Sequence, residues 1–150
     1  MNEPLSYRRT DRSLPIALLR ARETVMAPIR DMLAESGISE QKWRVIRVLA
    51  EAGPLEQTHL AGRACLLLPS LTRIARAMEQ DGLITRSVDK DDRRKSIVSI
   101  TDKGRTILAD HAQASAAIFE SFSKRFGADR MEQLLDLLEE LTAKVDRDTV

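Results

Sequence analysis

The chain is poor in the residues that build all-β or covalently stapled proteins. Aromatics make up 3% of its 150 residues, with one Trp, one Tyr and three Phe, and there are only six Gly and five Pro. So few ring side chains and turn formers argue against a sandwich or barrel of many short strands. The single cysteine, Cys65, cannot staple a fold. With only His59 and His111 beside it, no metal-ligand spacing is present, and neither metal nor cofactor is expected. Nothing requires an oxidising compartment, so a cytoplasmic protein is the simplest expectation. No run approaches 18 consecutive apolar residues, so no membrane span is expected. The first residues, Met1 to Arg12, carry Arg8, Arg9 and Arg12 without an apolar run behind them, unlike a secretory signal. The chain also lacks a glycine-rich phosphate loop and a nucleophile elbow. An enzyme is therefore not expected, and no residue is assigned a catalytic role.

What is present is a globular composition, 43% apolar and 31% charged, at a length that fits one domain. The formal net charge is only +1. Its distribution is more telling. Residues 57–105 hold ten Lys and Arg against six Asp and Glu, whereas Gly127 to Val150 hold seven acids against three bases. A basic middle between neutral or acidic ends fits one working surface for an anionic partner.

Periodicity gives helices, one hairpin, then helices again. Ser13 caps a first helix with Pro15 in its first turn and apolar residues at Leu18, Val25, Met26, Ile29, Met32 and Leu33. Pro28 falls inside that stripe, where its ring allows a kink or a break. After Gly37, Ser39 caps a second helix bearing Trp43, Ile46, Leu49 and Ala50, which ends at Gly53-Pro54. A short third helix fits Leu55 to Arg63. A fourth starts at Pro69, repeats Leu71, Ile74, Ala75 and Met78, and closes at Gly82. Leu83 to Val88 and Lys95 to Ile100 read as two strands around a charged tip, Asp89 to Arg94. Thr101 caps a long helix with Ile107, His111, Ala114, Ile118 and Phe122 on one stripe. Gly127 breaks it, and Met131, Leu134, Leu135, Leu138, Leu141 and Val145 form a near-heptad seam in the last helix.

A short helix, a turn, a second helix and a hairpin make a winged helix-turn-helix. In that module the second helix enters the major groove of duplex DNA. Here its polar face shows Ser70, Thr72, Arg73 and Arg76, hydroxyls and guanidinium forks suited to phosphates and base edges. The hairpin tip offers Arg93, Arg94 and Lys95, and an Arg on such a wing suits a narrow minor groove. The expected fold is mainly α with a small β-hairpin, one domain over 1–150. Its DNA-reading core spans about 39–100, and helices at about 13–36 and 101–146 serve dimerisation.

The chain resembles the MarR family of bacterial regulators. The matching residues are Leu68-Pro-Ser-Leu-Thr-Arg-Ile, Met78-Glu-Gln-Asp-Gly-Leu-Ile, Asp89-Lys-Asp-Asp-Arg-Arg and Ser99-Ile-Thr-Asp-Lys-Gly. Within that family, Ile16-Ala-Leu-Leu-Arg-Ala-Arg-Glu, Gln41-Lys-Trp-Arg-Val and Ala64-Cys-Leu-Leu-Leu-Pro-Ser are similar to repressors of homoprotocatechuate degradation operons. The resemblance implies a homodimer on a palindromic duplex operator, built from its first and last helices. It also implies that Arg94 enters the minor groove while Asp92 holds it. It further implies release from DNA by a small phenolic or aromatic acid.

Such an acid needs apolar walls and a cation. Met26 and Trp43 are expected in a cavity between the first two helices and the long helix after the wing, with Arg20, Arg22 and Arg44 as candidates for its mouth. Trp43, on the apolar face of the second helix, reads first as a core residue and second as a ligand wall. Arg20 and Arg22 equally pair with acids such as Glu23. His59 is expected at the surface and His111 as a satisfied core histidine. Cys65, among Leu66, Leu67 and Leu68, is expected to pack as an inert core thiol. Two alternatives remain at this level: a redox-sensing regulator working through Cys65, and a helical adaptor using the last helix without DNA.

Overall fold

A computed structural model describes residues 9–145. After a short 3-10 turn, Thr10–Arg12, the order is α1 (Leu14–Ala34), α2 (Glu40–Ala52), β1 (Leu55–Glu56), α3 (Gln57–Arg63) and α4 (Leu68–Gln80). Then follow β2 (Ile84–Val88), β3 (Ser96–Ile100), α5 (Asp102–Phe126) and α6 (Ala128–Lys144). The chain divides into two compact units, the first running to Ala112 and the second starting at Gln113.

The first unit holds the core. Val45, Ile46 and Leu49 of α2, Leu60 of α3, Leu71, Ala75 and Met78 of α4, and Leu83, Ile84 and Val98 of the hairpin are buried together. The amphipathic spacing of α2 and α4 is what brings one stripe of each helix inward. Ile107 and Leu108 of α5 pack against the same cluster.

Capping follows the sequence at several ends. The Ser39 hydroxyl accepts from the Lys42 N–H at 3.2 Å and starts α2. Thr101 Oγ1 accepts from the Gly104 N–H at 3.2 Å and donates to the Gly82 carbonyl at 2.6 Å, tying the start of α5 to the base of the hairpin. Gly104 is required there. A Cβ at this position would lie 2.6 Å from the Leu83 carbonyl oxygen and 2.8 Å from Ile100 Cγ1. Ser13 stands at the N-cap of α1 but its hydroxyl makes no capping bond.

Two expectations are corrected. The helix foreseen from Leu55 begins only at Gln57, because Leu55 and Glu56 pair antiparallel with Val98 and Ile97. The hairpin is thereby the larger part of a three-stranded sheet of order β1-β3-β2, with β2 and β3 in register from Ile84–Ile100 to Val88–Ser96. α1 runs through Pro28 without the break that was one of the two possibilities there, and the Thr24 carbonyl is left without its helical N–H partner.

The second unit contains the end of α5 and all of α6. Phe119 and Phe122 meet edge to face at 6.3 Å, and the Arg130 guanidinium lies 4.6 Å from the centre of the Phe126 ring. Among the described residues α6 buries none, and Leu134, Leu135 and Leu137 are exposed.

Candidate nucleic-acid interface and ligand cavity

α3, the turn Ala64–Leu67 and α4 form the helix-turn-helix. The turn is held by the Leu66 N–H donating to the Ala61 carbonyl and the Cys65 N–H to the Gly62 carbonyl. That pairing is a Schellman cap, which needs a left-handed residue at its corner. The residue is Cys65, with φ of +54°. The expected core thiol is therefore corrected: Cys65 is exposed at the corner of the cap, and its neighbours Leu67 and Leu68 are exposed as well.

α4 carries no acid in its first turn. Arg73 and Arg76 are exposed and, among the described residues, enter no ion pair. Ser70 is half-buried. The Thr72 hydroxyl is already engaged, donating to the Leu68 carbonyl at 3.0 Å and accepting from Gln57 Nε2 at 2.7 Å. Gln57 was not singled out in the sequence, since a lone Gln at a helix start gives no pattern. The acids of the following turn are occupied elsewhere: Glu79 with Arg86 at 3.0 Å and Asp81 with Lys42 at 3.5 Å.

The wing tip is built around Asp92. Its Oδ1 accepts from the Arg94 backbone N–H at 3.0 Å and from Arg94 Nε at 3.1 Å, and its Oδ2 accepts from Nη2 at 3.3 Å. The Asp92 and Lys95 backbones close the turn, as the Lys95 N–H donates to the Asp92 carbonyl at 3.0 Å. The hydrogen bond from the Arg94 side chain, followed by that from its backbone, holds the Asp92 carboxyl below the usual range. Asp92 is thus charged at neutral pH, and the clamp persists there. The Arg94 side chain remains 90% exposed. Three of its five N–H donors stay free for another acceptor. Arg93 and Lys95 are exposed beside it.

A separate cavity of about 280 Å³ lies in the same unit, lined by Met26 and Ile29 of α1, Trp43, Arg44, Arg47, Val48 and Glu51 of α2, and Arg63, Ala64 and Cys65. Met26, Trp43 and Arg44 are thus brought together. Arg20 and Arg22 are not in the lining. Arg22 is committed elsewhere, donating to Glu40 Oε1 at 2.6 Å, and Arg30 pairs with both Glu23 and Glu40. The acid met by Arg22 is therefore Glu40 of α2, one helix away, and not its chain neighbour Glu23. The third wall is the end of α3, whereas the long helix after the wing was expected there. α5 contributes behind the wall: the buried His111 ring bonds Ser36 Oγ at 2.7 Å and meets Trp43 edge-on at 5.7 Å. Arg47 and Arg63 were missed, since surface arginines on amphipathic helices carry no individual signal.

One residue of the lining holds an unsatisfied atom. Arg44 Nε is buried without a hydrogen-bond partner; Glu40 Oε2 and Arg86 Nε, the other two such atoms among the described residues, lie outside the cavity. Burying a charged N–H unpaired is costly.

Comparison with known proteins agrees with this architecture. The MarR family model matches residues 38–96. The homoprotocatechuate degradative operon repressor of Escherichia coli is 40% identical over 131 residues, 87% of this chain and 88% of its own. A crystal structure of NadR in complex with 4-hydroxyphenylacetate is 34% identical with a TM-score of 0.81, covering 96% of this chain and all of that one. The repressor CouR bound to a 23-mer DNA duplex is 26% identical with a TM-score of 0.80, covering 93% and 99%. With this helix-turn-helix, this wing and this degree of identity over most of its length, the chain belongs to the MarR family of transcriptional regulators.

Proposed function

We propose that the chain is a homodimeric repressor that occupies a palindromic duplex operator and leaves it when a small aromatic acid binds. The observation that carries the DNA half is the wing, where Arg94 is both exposed and fixed in direction by Asp92. A long side chain free in water loses rotamer entropy on binding, and the clamp removes part of that cost beforehand. Arg73 and Arg76, free of competing acids, supply the major-groove side. The CouR duplex complex and the name of the Escherichia coli relative support the same reading. Residues 39–100 act as the reading core, with 13–36 and 101–146 as dimerisation helices. Operator binding places the protein with the chromosome, in the cytoplasm.

The cavity lining supports the effector half, with apolar walls at Met26, Ile29 and Trp43 and the arginines Arg44 and Arg47 beside them. The volume suits a single-ring acid, with the ring against Trp43 and the carboxylate on the guanidinium of Arg44 and its neighbour Arg47. NadR is a relative with 4-hydroxyphenylacetate bound. Ligand and DNA then oppose each other by reciprocal coupling, and about 1.4 kcal/mol suffices for a tenfold loss of DNA affinity. The test is a titration of hydroxyphenylacetate-type acids. Trp43 emission is expected to quench and the operator to be released, and Arg44→Ala to remove both responses while DNA binding persists. Full release of the operator from the Arg44→Ala protein would contradict the assignment. The exposure of Cys65 favours a second reading, redox sensing. In that case peroxide releases the operator and Cys65→Ser does not respond.

A further inference from the structure

α4 begins in an unusual way. Its N-cap residue is Leu67, which makes no side-chain capping bond, where Ser, Thr, Asp or Asn normally serve. Leu67 is 68% exposed and Leu68, the first residue of the helix, 43% exposed; Pro69 follows and is exposed too. The chain thus places consecutive apolar side chains in water at a position where a polar residue would stabilise the helix. The core beneath is closed without them, since α4 buries Leu71, Ile74, Ala75 and Met78. In a helix-turn-helix this end of the second helix is the part that meets base edges. Arginine reads guanine there, but the major groove also presents one apolar group, the thymine C5-methyl, which is read by apolar contact.

We propose that Leu67 and Leu68 are specificity residues that pack against thymine methyl groups of the operator in the major groove. The assignment rests on the DNA-binding function proposed above and adds base identity to it. Burying two leucines and a methyl on complex formation offsets the exposure seen in the free protein. The wing and the arginines supply charge, which is indifferent to that methyl group.

The experiment uses the full chain and a duplex that it selects from a random-sequence pool. Each thymine is replaced singly by deoxyuridine, which removes only the methyl group. At one or more positions in each half-site the wild-type protein is expected to lose about fourfold in affinity, equivalent to the ~0.8 kcal/mol of one buried methylene-sized group. With Leu67→Ala or Leu68→Ala, thymine and uracil duplexes should bind alike at that position. Both side chains are exposed, so these variants should keep the wild-type circular dichroism and melting temperature. A selected duplex that shows no uracil penalty, or a penalty unchanged in both variants, overturns the assignment and leaves the DNA-binding proposal standing. Failure to select any duplex overturns both.

Discussion

At the scale of single residues, one strained position, Cys65, and one charged pair, Arg94 with Asp92, stand out. Cys65 sits in the left-handed region at the corner of the helix-turn-helix, where glycine is the usual occupant. Cys65→Gly is expected to stabilise the fold by about 1 kcal/mol, the order of the left-handed penalty for a residue with a Cβ. Urea midpoints at unchanged slope check this. A destabilised variant would mean that the thiol contributes contacts beyond the cap. Arg94 and Asp92 form the second case. Arg94→Ala should weaken operator binding strongly and lower the salt slope by about one unit, while Asp92→Ala costs less because it only orients its neighbour. Lys124, paired with Glu120 at 2.8 Å in the second unit, serves as the control, and Lys124→Ala should leave binding unaltered. A run of charge between two β-branched segments marked the wing tip, with Arg93, Arg94 and Lys95 alike, while the pairing of Arg94 with Asp92 was implied by the family resemblance and is present. The sequence could not show that the Thr72 hydroxyl is spoken for by Gln57, since that bond joins different helices. It also misplaced Cys65: leucine neighbours indicate burial, but Leu67 and Leu68 are themselves exposed on the turn.

At the scale of elements, the joint between the hairpin and α5 sets the position of the wing. Gly104 lets the first turn of α5 approach Leu83 and Ile100, so Gly104→Ala should cost about 1–3 kcal/mol by overpacking. A drop in melting temperature together with loss of DNA affinity is the expected result. The joint between α1 and α2 is ionic. Glu40, 12% exposed, faces Arg22 and Arg30, and the bond from Arg22 holds its carboxyl below the ordinary glutamate range. A depressed pKa in the folded state means a contribution present above the ordinary value and lost as pH falls through the depressed one. Stability should therefore be flat near neutrality on this account and decline in acid, and Glu40→Gln should flatten that acid limb. The helices were readable because their apolar stripes repeat with the right period, and at α2 and α5 because Ser39 and Thr101 cap them. β1 was not, since two residues show no alternation and only the pairing with β3 defines them. At Pro28 the break that the ring allows does not occur, and α1 continues across it.

At the scale of the whole molecule, α1 and α6 present apolar side chains that the described chain leaves uncovered: Leu14, Leu18, Leu19 and Val25 on the first, Leu134, Leu135 and Leu137 on the last. We propose that a second copy covers them. Sedimentation should give a particle of twice the 16.9 kDa chain mass, and removal of residues 128–150 should yield aggregated or unfolded chain. A soluble, folded monomer from that truncation contradicts the arrangement. A dimer in turn sets two reading heads about one helical turn apart, roughly 34 Å, so the operator must be a near-palindrome of that spacing.

The most direct measurement is fluorescence anisotropy of a labelled duplex from upstream of the protein's own gene, titrated with the wild-type chain and with Arg73→Ala, against a scrambled duplex of equal length. Tight binding to the first duplex and weak, salt-sensitive binding to the second are expected for the wild type. Arg73→Ala should cost about 1–3 kcal/mol on the cognate duplex and much less on the scrambled one. Equal affinity of the wild-type protein for every duplex tested, or none for any, would contradict sequence-selective DNA binding.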